Sequence, residues 1–453
     1  MDTIVVIGAG MAGLGVAQTL KQEGPGDTVC RIFEKETRPG GLCRTEEQDG
    51  FFFDYTGHLL HFRTDHFRST VFDRLDGALQ ERRRSAWIYS KGVYTHYPFQ
   101  AHLYGLPIDV VVDCVYEYSR EYFREPKRPV VTFEDWIAAH FGDGIAAHFM
   151  TPYNTKIYRR PPHELSPDTT GRFVPSADLK QLLRGALAPD NTSLGYNATF
   201  YYPESGGIER LIRSLASGLD HLVTGESVVR IDPTRQQLTT GEGRTVTYDY
   251  LVSTQPIAQL VGMIDGAPRA VREAAARLSH VSVLNINLGI SGSIGDRHWI
   301  YVPEPDILFH RIGFPSNFSD AMAPDGHSSM YLEISYDRAA GIDRHEALRR
   351  SVADLVRMGI IDSADRVVAE KTIDIPYAYV HFDAHRSDAL GEIGAYLRSQ
   401  GIASVGRFGA WEYSSMEDAY MQGVEAARAA LRCLGERRTR LSEERSVWAF
   451  ETS

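Results

Sequence analysis

Gly8-Ala9-Gly10-Met11-Ala12-Gly13 follows the short β-branched run 3–7 and precedes Leu14, Val16, Ala17 and Leu20, which recur at helical spacing. Residues 29–33 resume as a strand, so the order is strand, tight turn, helix, strand. In that setting Gly8 permits the tight turn, Gly10 lets backbone approach a pyrophosphate, and Gly13 allows close packing of helix on strand. The phosphate charge is met by the open amides and positive end of the helix. Glu34 lies 21 residues after Gly13, at the end of the second strand, where its carboxylate can accept ribose hydroxyl hydrogen bonds. An acid at that distance turns a common glycine pattern into a dinucleotide-binding one.

A chain of 453 residues exceeds the usual size of one domain, so two or three packed units are expected. Its composition, 43% hydrophobic and 24% charged, is that of a globular protein, and a net charge of −11 argues against a nonspecific nucleic-acid surface. The basic run Glu81-Arg82-Arg83-Arg84 reads as solvated surface or as part of an anion site. The apolar opening 1–10 has neither a basic leader nor a cleavage site and reads as a buried strand rather than a signal peptide. There is no run of 18 or more apolar residues, so no membrane span is expected. Cys30, Cys43, Cys114 and Cys433 are scattered without a CxxC pair, which fits a reducing cytoplasm and argues against a metal site.

The cofactor fold is expected to be discontinuous. Residues 1–100 form its first part, 101–200 a mostly helical substrate or lid domain, and 201–275 a return segment in which 228–231 and 250–253 rejoin the nucleotide fold. Alternation in 281–288 and 329–334 predicts an antiparallel substrate-domain sheet within 276–400. Residues 401–432 close the cofactor fold, and 433–453, rich in Arg, Glu and Ser, read as a flexible tail.

NAD and FAD share the first motif; the next loop separates them. Arg38-Pro39-Gly40-Gly41-Leu42-Cys43-Arg44-Thr45 resembles the second phosphate and ribityl loop of glutathione-reductase-like FAD oxidoreductases, and the stretch 406–409 before a helix resembles their flavin-binding closure. The resulting expectation is an α/β protein: a Rossmann-like FAD-binding domain of the glutathione-reductase type, a helical insertion and an antiparallel substrate sheet. Cys43 reads as a packed thiol rather than a flavin attachment point.

Four further motifs narrow the class. Tyr55-Thr56-Gly57-His58-Leu59-Leu60-His61, Thr151-Pro152-Tyr153-Asn154-Thr155-Lys156-Ile157-Tyr158, Phe309-His310-Arg311-Ile312 and Gly406-Arg407-Phe408-Gly409-Ala410-Trp411-Glu412-Tyr413 together resemble the UDP-galactopyranose mutase family. The likeness spans most of 1–432, on a scaffold shared with protoporphyrinogen-oxidase-like and amine-oxidase-like flavoproteins. It implies an enzyme that interconverts pyranose and furanose forms of a nucleotide sugar without net oxidation, through a sugar adduct at N5 of reduced FAD, with NADPH or NADH as external reductant.

The same resemblance supplies roles. His58 is expected to tune the flavin, with a structural loop role as the alternative, and His61 to contact the cofactor or serve polar packing. Arg172, on a mobile lid, and Arg311 are expected to bind the substrate diphosphate, work that suits the guanidinium fork. Tyr413 is expected to donate to a substrate phosphate, with Tyr379 beside it, Trp411 packed near flavin or sugar, and Tyr420 either a ligand contact or packing. Tyr153 and Tyr158 would form the base slot, although common bacterial members carry Trp where Tyr158 stands, which weakens a specific claim for UDP. Asn197 is a substrate contact or a backbone cap; Asn154 and Lys156 stabilise the helix or bind phosphate. Val228, Leu42, Gly406, Arg407 and Met416 complete the expected cofactor contacts. A homodimer is a family expectation. The opposing class is a net FAD oxidoreductase, a dehydrogenase or oxidase acting on a small metabolite.

Overall fold

The computed structural model describes residues 2–169, 174–175, 178–189 and 198–451, with side chains through 437. Strand Asp2–Ile7 is a Val/Ile run with its inner residues buried, and it pairs in parallel with Thr28–Glu34 on one side and Tyr250–Ser253 on the other. Leu222–Thr224 and Ile402–Ser404 extend the two edges to give a five-stranded parallel sheet. Strands covered on both faces need continuous apolar runs, which Ile4, Val5, Val6 and Ile7 provide. Helix Met11–Glu23 begins directly at the end of the first strand, so its N-terminus opens at the carboxyl edge of the sheet, where such folds bind ligands.

Of the two returning segments, only Tyr250–Ser253 enters this sheet. Val228–Asp232 instead pairs with Gln237–Thr240, and that strand with Thr245–Thr247, in a separate antiparallel sheet. The reason is one-sided burial: Val228 and Ile231 are buried while Val229 and Arg230 are exposed, so the strand cannot sit inside a sheet covered on both faces.

The second large sheet has seven strands in the order Val367–Val380, His280–Ser291, His327–Tyr336, Arg311–Gly313, Trp299–Tyr301, Ala86–Ser90, Val93–His96. The 282–291 and 327–336 strands pair antiparallel over ten residues each, as their alternation predicts. Alternation understates their burial. One face packs Leu284, Leu332 and Ile334 against helix Arg344–Arg357, and the other sets Val283 and Ile375 against Leu42 and Tyr55 of the cofactor loops. Residues 86–96 correct the expected boundary at 100: they belong to this sheet, joined through parallel pairing of Trp299–Tyr301 with 86–88.

Helices Ile108–Tyr122, Phe133–Ile145, Thr151–Tyr158 and Leu179–Leu187 make up the insertion. Phe133–Ile145 starts at a reciprocal cap, Thr132 with Asp135, which satisfies amides the helix leaves open. The expected flexible tail is helical: Met416–Glu451 continues through 433–451, a stretch without proline and rich in Glu and Arg, which are good helix formers. Among the described residues no helix is long and apolar enough to cross a membrane.

Candidate functional site

A cavity of about 1210 Å³ runs between the two large sheets. Gly8, Gly10, Glu34, Gly40, Gly41 and Leu42 form one part of its wall, with Val228 beside them. His58, His61, Gly406, Arg407, Tyr413 and Met416 form another, and Arg311 and Tyr379 a third. Motifs more than 300 residues apart in the chain thus meet on one cavity.

The dinucleotide end is built by close approach of backbone. A Cβ on Gly13 would lie 1.9 Å from the carbonyl oxygen of Gly8, so Gly13 stands behind the wall and holds helix to turn, as its expected packing role requires. Gly40 adopts φ +135°, which L side chains rarely reach, and its amide donates to Ala9 at 2.9 Å, docking the second glycine loop on the first. Glu34 is buried, and its two oxygens accept from the amides of Ala9, at 2.8 Å, and Glu36, at 2.9 Å. These bonds orient the carboxylate and leave lone pairs for ribose hydroxyls. No side chain caps helix Met11–Glu23, so its positive end is left to an anion. These features fit the dinucleotide part of FAD.

The 55–58 loop is held under strain. Thr56 has φ +72°, and its amide donates to the carbonyl of Asp54 at 3.0 Å; Asn285 Nδ2 donates to the same carbonyl at 3.1 Å. The hydroxyl of Tyr331 wedges against the loop, since a Cβ on Gly57 would lie 2.3 Å from it. His58 is thereby pinned in the wall with Nδ1 buried and without a hydrogen-bond partner in the chain. Burial, and next the cation of Arg407, push its pKa down to about 4, so the ring is neutral at neutral pH. His58 thus brings a neutral ring to the cavity wall. His61 bonds the carbonyl of Thr199 through Nδ1 at 3.2 Å and is likewise lowered to about 4 by burial.

Arg407 donates to the carbonyls of Ser414 and Ala378, both at 2.9 Å, and its guanidinium stands 4.5 Å from the Tyr413 ring centroid. Tyr413 stacks on Tyr379 at 5.9 Å. Tyr379 in turn donates to Glu333 at 3.0 Å and accepts from Arg311 at 3.3 Å. Glu333 is fully buried, and His310 Nε2 lies 3.4 Å from it. Burial alone would raise its carboxyl, but the Arg311 charge and the bonds around it bring the pKa down to about 2. Arg311 meets the cavity with its charge already balanced, which was not expected of a diphosphate arginine.

Trp411, Tyr420, Tyr153 and Tyr158, expected at the ligand, stand off the cavity wall, and for Tyr420 packing was the stated alternative. Trp411 is fully buried beside His280 and Tyr377, at 5.8 Å and 6.2 Å, and does not border the cavity; it props the wall from behind. Tyr420 is buried against Phe67 at 5.4 Å in the contact of helix Met416–Glu451 with its neighbours, a packing role. Tyr153 stacks on Phe149 at 5.3 Å and meets Tyr301 edge-on, while Tyr158 meets Tyr379 edge-on; both form a second row behind the wall instead of an open slot. Asn154 and Lys156 donate to backbone carbonyls, Met150 for the first and Val302, Glu304 and Phe309 for the second. In the basic run, Arg83 is exposed but Arg84 is buried, 5.3 Å from the Tyr97 ring. Arg172 and Asn197, and with them the expected lid, lie outside the described residues.

Glu333, Tyr301 and Tyr331 line the cavity without having been foreseen. One signal was available for Glu333: a charge in the middle of the apolar strand 327–336 must be paired if that strand is buried.

A family model described as flavin containing amine oxidoreductase matches residues 11–431. Among solved structures, that of reduced UDP-galactopyranose mutase is 29% identical, with TM-score 0.90 over 96% of each chain. Cyclohexylamine oxidase from Brevibacterium oxydans IH-35A matches at 16% identity and TM-score 0.69, covering 96% of this chain and 99% of its own. Putrescine oxidase bound to putrescine matches at 16% identity and TM-score 0.66, covering 95% and 99%. The last two likenesses are of fold.

Proposed function

The chain belongs to the flavin-containing amine oxidoreductase family and is an FAD-dependent enzyme, and from that premise we propose that it is a nucleotide-sugar mutase interconverting UDP-galactopyranose and UDP-galactofuranose, or a close analogue, without net redox change. The observation that carries the proposal is the continuity of the dinucleotide cradle with a wall of Arg311, Tyr379 and Tyr413. Guanidinium and phenol groups suit a diphosphate leaving group. Bound and reduced, FAD supplies a nucleophile; the chain supplies orientation and charge.

Within that reading, the carbonyls of Ser414 and Ala378 aim Arg407 beneath Tyr413, and the Tyr379–Tyr413 stack presents two phenols to one side of the cavity. Arg311 keeps a fixed direction because Glu333 holds it on both prongs, and a cation that need not reorient stabilises developing charge at low cost. His58, neutral and fixed, offers its ring as an uncharged polar contact to the cofactor. The reductant, NADPH or NADH, is part of the proposal.

The oxidase alternative is weaker on chemical grounds. The wall carries the guanidinium groups of Arg311 and Arg407, which suit an anionic substrate better than the neutral or amine substrate of an oxidase.

The test is to incubate dithionite-reduced protein anaerobically with each UDP-galactose isomer and separate products by anion exchange, with oxidised protein as control. Interconversion only by reduced protein is expected. Its absence with FAD bound would reject these substrates, and flavin bleaching by an amine would favour the oxidase.

A further inference from the structure

Lys156 projects from helix Thr151–Tyr158 into the turn between Trp299–Tyr301 and Arg311–Gly313. Its ammonium donates to the carbonyls of Val302 and Glu304, at 2.9 Å each, and of Phe309 at 2.7 Å. Three donors meet three acceptors, so the ammonium is saturated and ties the helix to both limbs of the turn.

What stands on each side gives the tie its consequence. The turn delivers Tyr301 and Arg311, cross-strand partners, to the cavity wall. The helix carries Tyr153, edge-on to Tyr301 at 5.4 Å, and Tyr158, edge-on to Tyr379 at 6.2 Å. We propose that Lys156 is a positioning residue for the substrate-binding arm: it sets the placement of Arg311 and Tyr301 against the aromatic row behind them, and so governs affinity for the nucleotide sugar without entering the chemistry. The identity of the ligand rests on the mutase reading; the clasp itself does not.

The clasp is also sensitive to pH. Facing the amine are Glu304, which accepts from Ser90 Oγ and the Lys91 amide, Asp306 and Asp354, both paired with Arg357, and His310, which burial holds below its ordinary pKa. Burial outweighs these acids and lowers the amine to about 7. A neutral amine has two donors and a lone pair, which would face the third carbonyl. The clasp therefore loosens as pH rises through that value.

The experiment compares FAD-loaded wild type, Lys156→Met and Lys156→Arg by calorimetric titration with UDP, by steady-state kinetics with UDP-galactofuranose, and by amide hydrogen exchange. Lys156→Met is expected to raise the Kd for UDP and the KM about tenfold with kcat within about twofold. Exchange should quicken in 302–309 and stay unchanged in Met11–Glu23. Wild type should lose affinity between about pH 6 and about pH 8.5, while Lys156→Arg, charged throughout, should hold it. Wild-type UDP affinity in Lys156→Met, or a wild-type pH profile in Lys156→Arg, would overturn the proposal. If wild type binds no UDP, the UDP-sugar reading fails, and the clasp is judged on exchange alone, where unchanged protection of 302–309 overturns it. Should Lys156→Met not fold, the arginine variant and the wild-type pH profile decide.

Discussion

Both prongs of the Arg311 guanidinium close on the carboxylate of Glu333, Nε to Oε1 at 2.8 Å and Nη2 to Oε2 at 2.8 Å, between residues directly opposite each other on neighbouring strands. The register of two strands therefore sets the direction of the cation. Had the pairing slipped by one residue, Glu333 would point to the other face and Arg311 would be a mobile surface charge.

Removing one member of this pair should cost more than the pair is worth. Glu333→Gln leaves Arg311 a charge with an amide for a partner, and breaking a buried pair costs about 3–5 kcal/mol. We expect a clear fall in Tm and, at temperatures where the variant is folded, a drop in kcat/KM of about a hundredfold or more. Differential scanning calorimetry and single-turnover kinetics measure the two effects separately. Retention of wild-type Tm would show that the ion pair does not hold the site.

Gly13→Ala should abolish FAD binding. The added methyl would overlap the Gly8 oxygen, and relief requires moving the helix that carries the positive end toward the pyrophosphate. Purified variant should lack flavin absorbance, with overpacking destabilising it by about 1–3 kcal/mol. A full complement of FAD in the variant would contradict the placement of Gly13.

Acid should destabilise the protein within a defined window. His58, His61, His298 and His381 are each lowered to about 4 by burial. Their unfolded forms take up protons near pH 6.5, so the unfolded state binds more protons as pH falls from about 6.5 to about 4. The contribution of these four rings to stability is then full above about 6.5 and declines below it, opposed by buried Asp54, whose pKa is raised to about 6. Tm measured against pH should show this slope, and His58→Asn should reduce it. An unchanged slope in His58→Asn between about pH 6.5 and 4 would mean that this ring is not neutral in the folded protein.

Trp411→Phe separates core from site. The indole is fully buried, and its Nε1 has no hydrogen-bond partner, so phenylalanine sacrifices volume and no bond. A loss of about 1–3 kcal/mol in urea unfolding is expected, with KM within about twofold of wild type. A large rise in KM at unchanged stability would return Trp411 to the substrate.

The cofactor half was legible because its chemistry is local. Gly8, Gly10, Gly13 and Glu34 act through backbone conformation and short-range spacing, which one strand-turn-helix-strand unit determines by itself. The alternation of residue type in 281–288 likewise identified an antiparallel strand, although burial there is continuous from 281 to 290 because both faces are covered. Roles that depend on which face a residue turns toward a distant element were decided only by tertiary structure. Trp411 and Tyr413 stand two positions apart, yet one is core and the other lines the cavity. Residues 228–231 look like sheet strands, but packing excluded them from the parallel sheet. A charge inside the apolar strand 327–336 signalled that Glu333 must be paired, but that its partner is Arg311 was decided by inter-strand register, a long-range quantity.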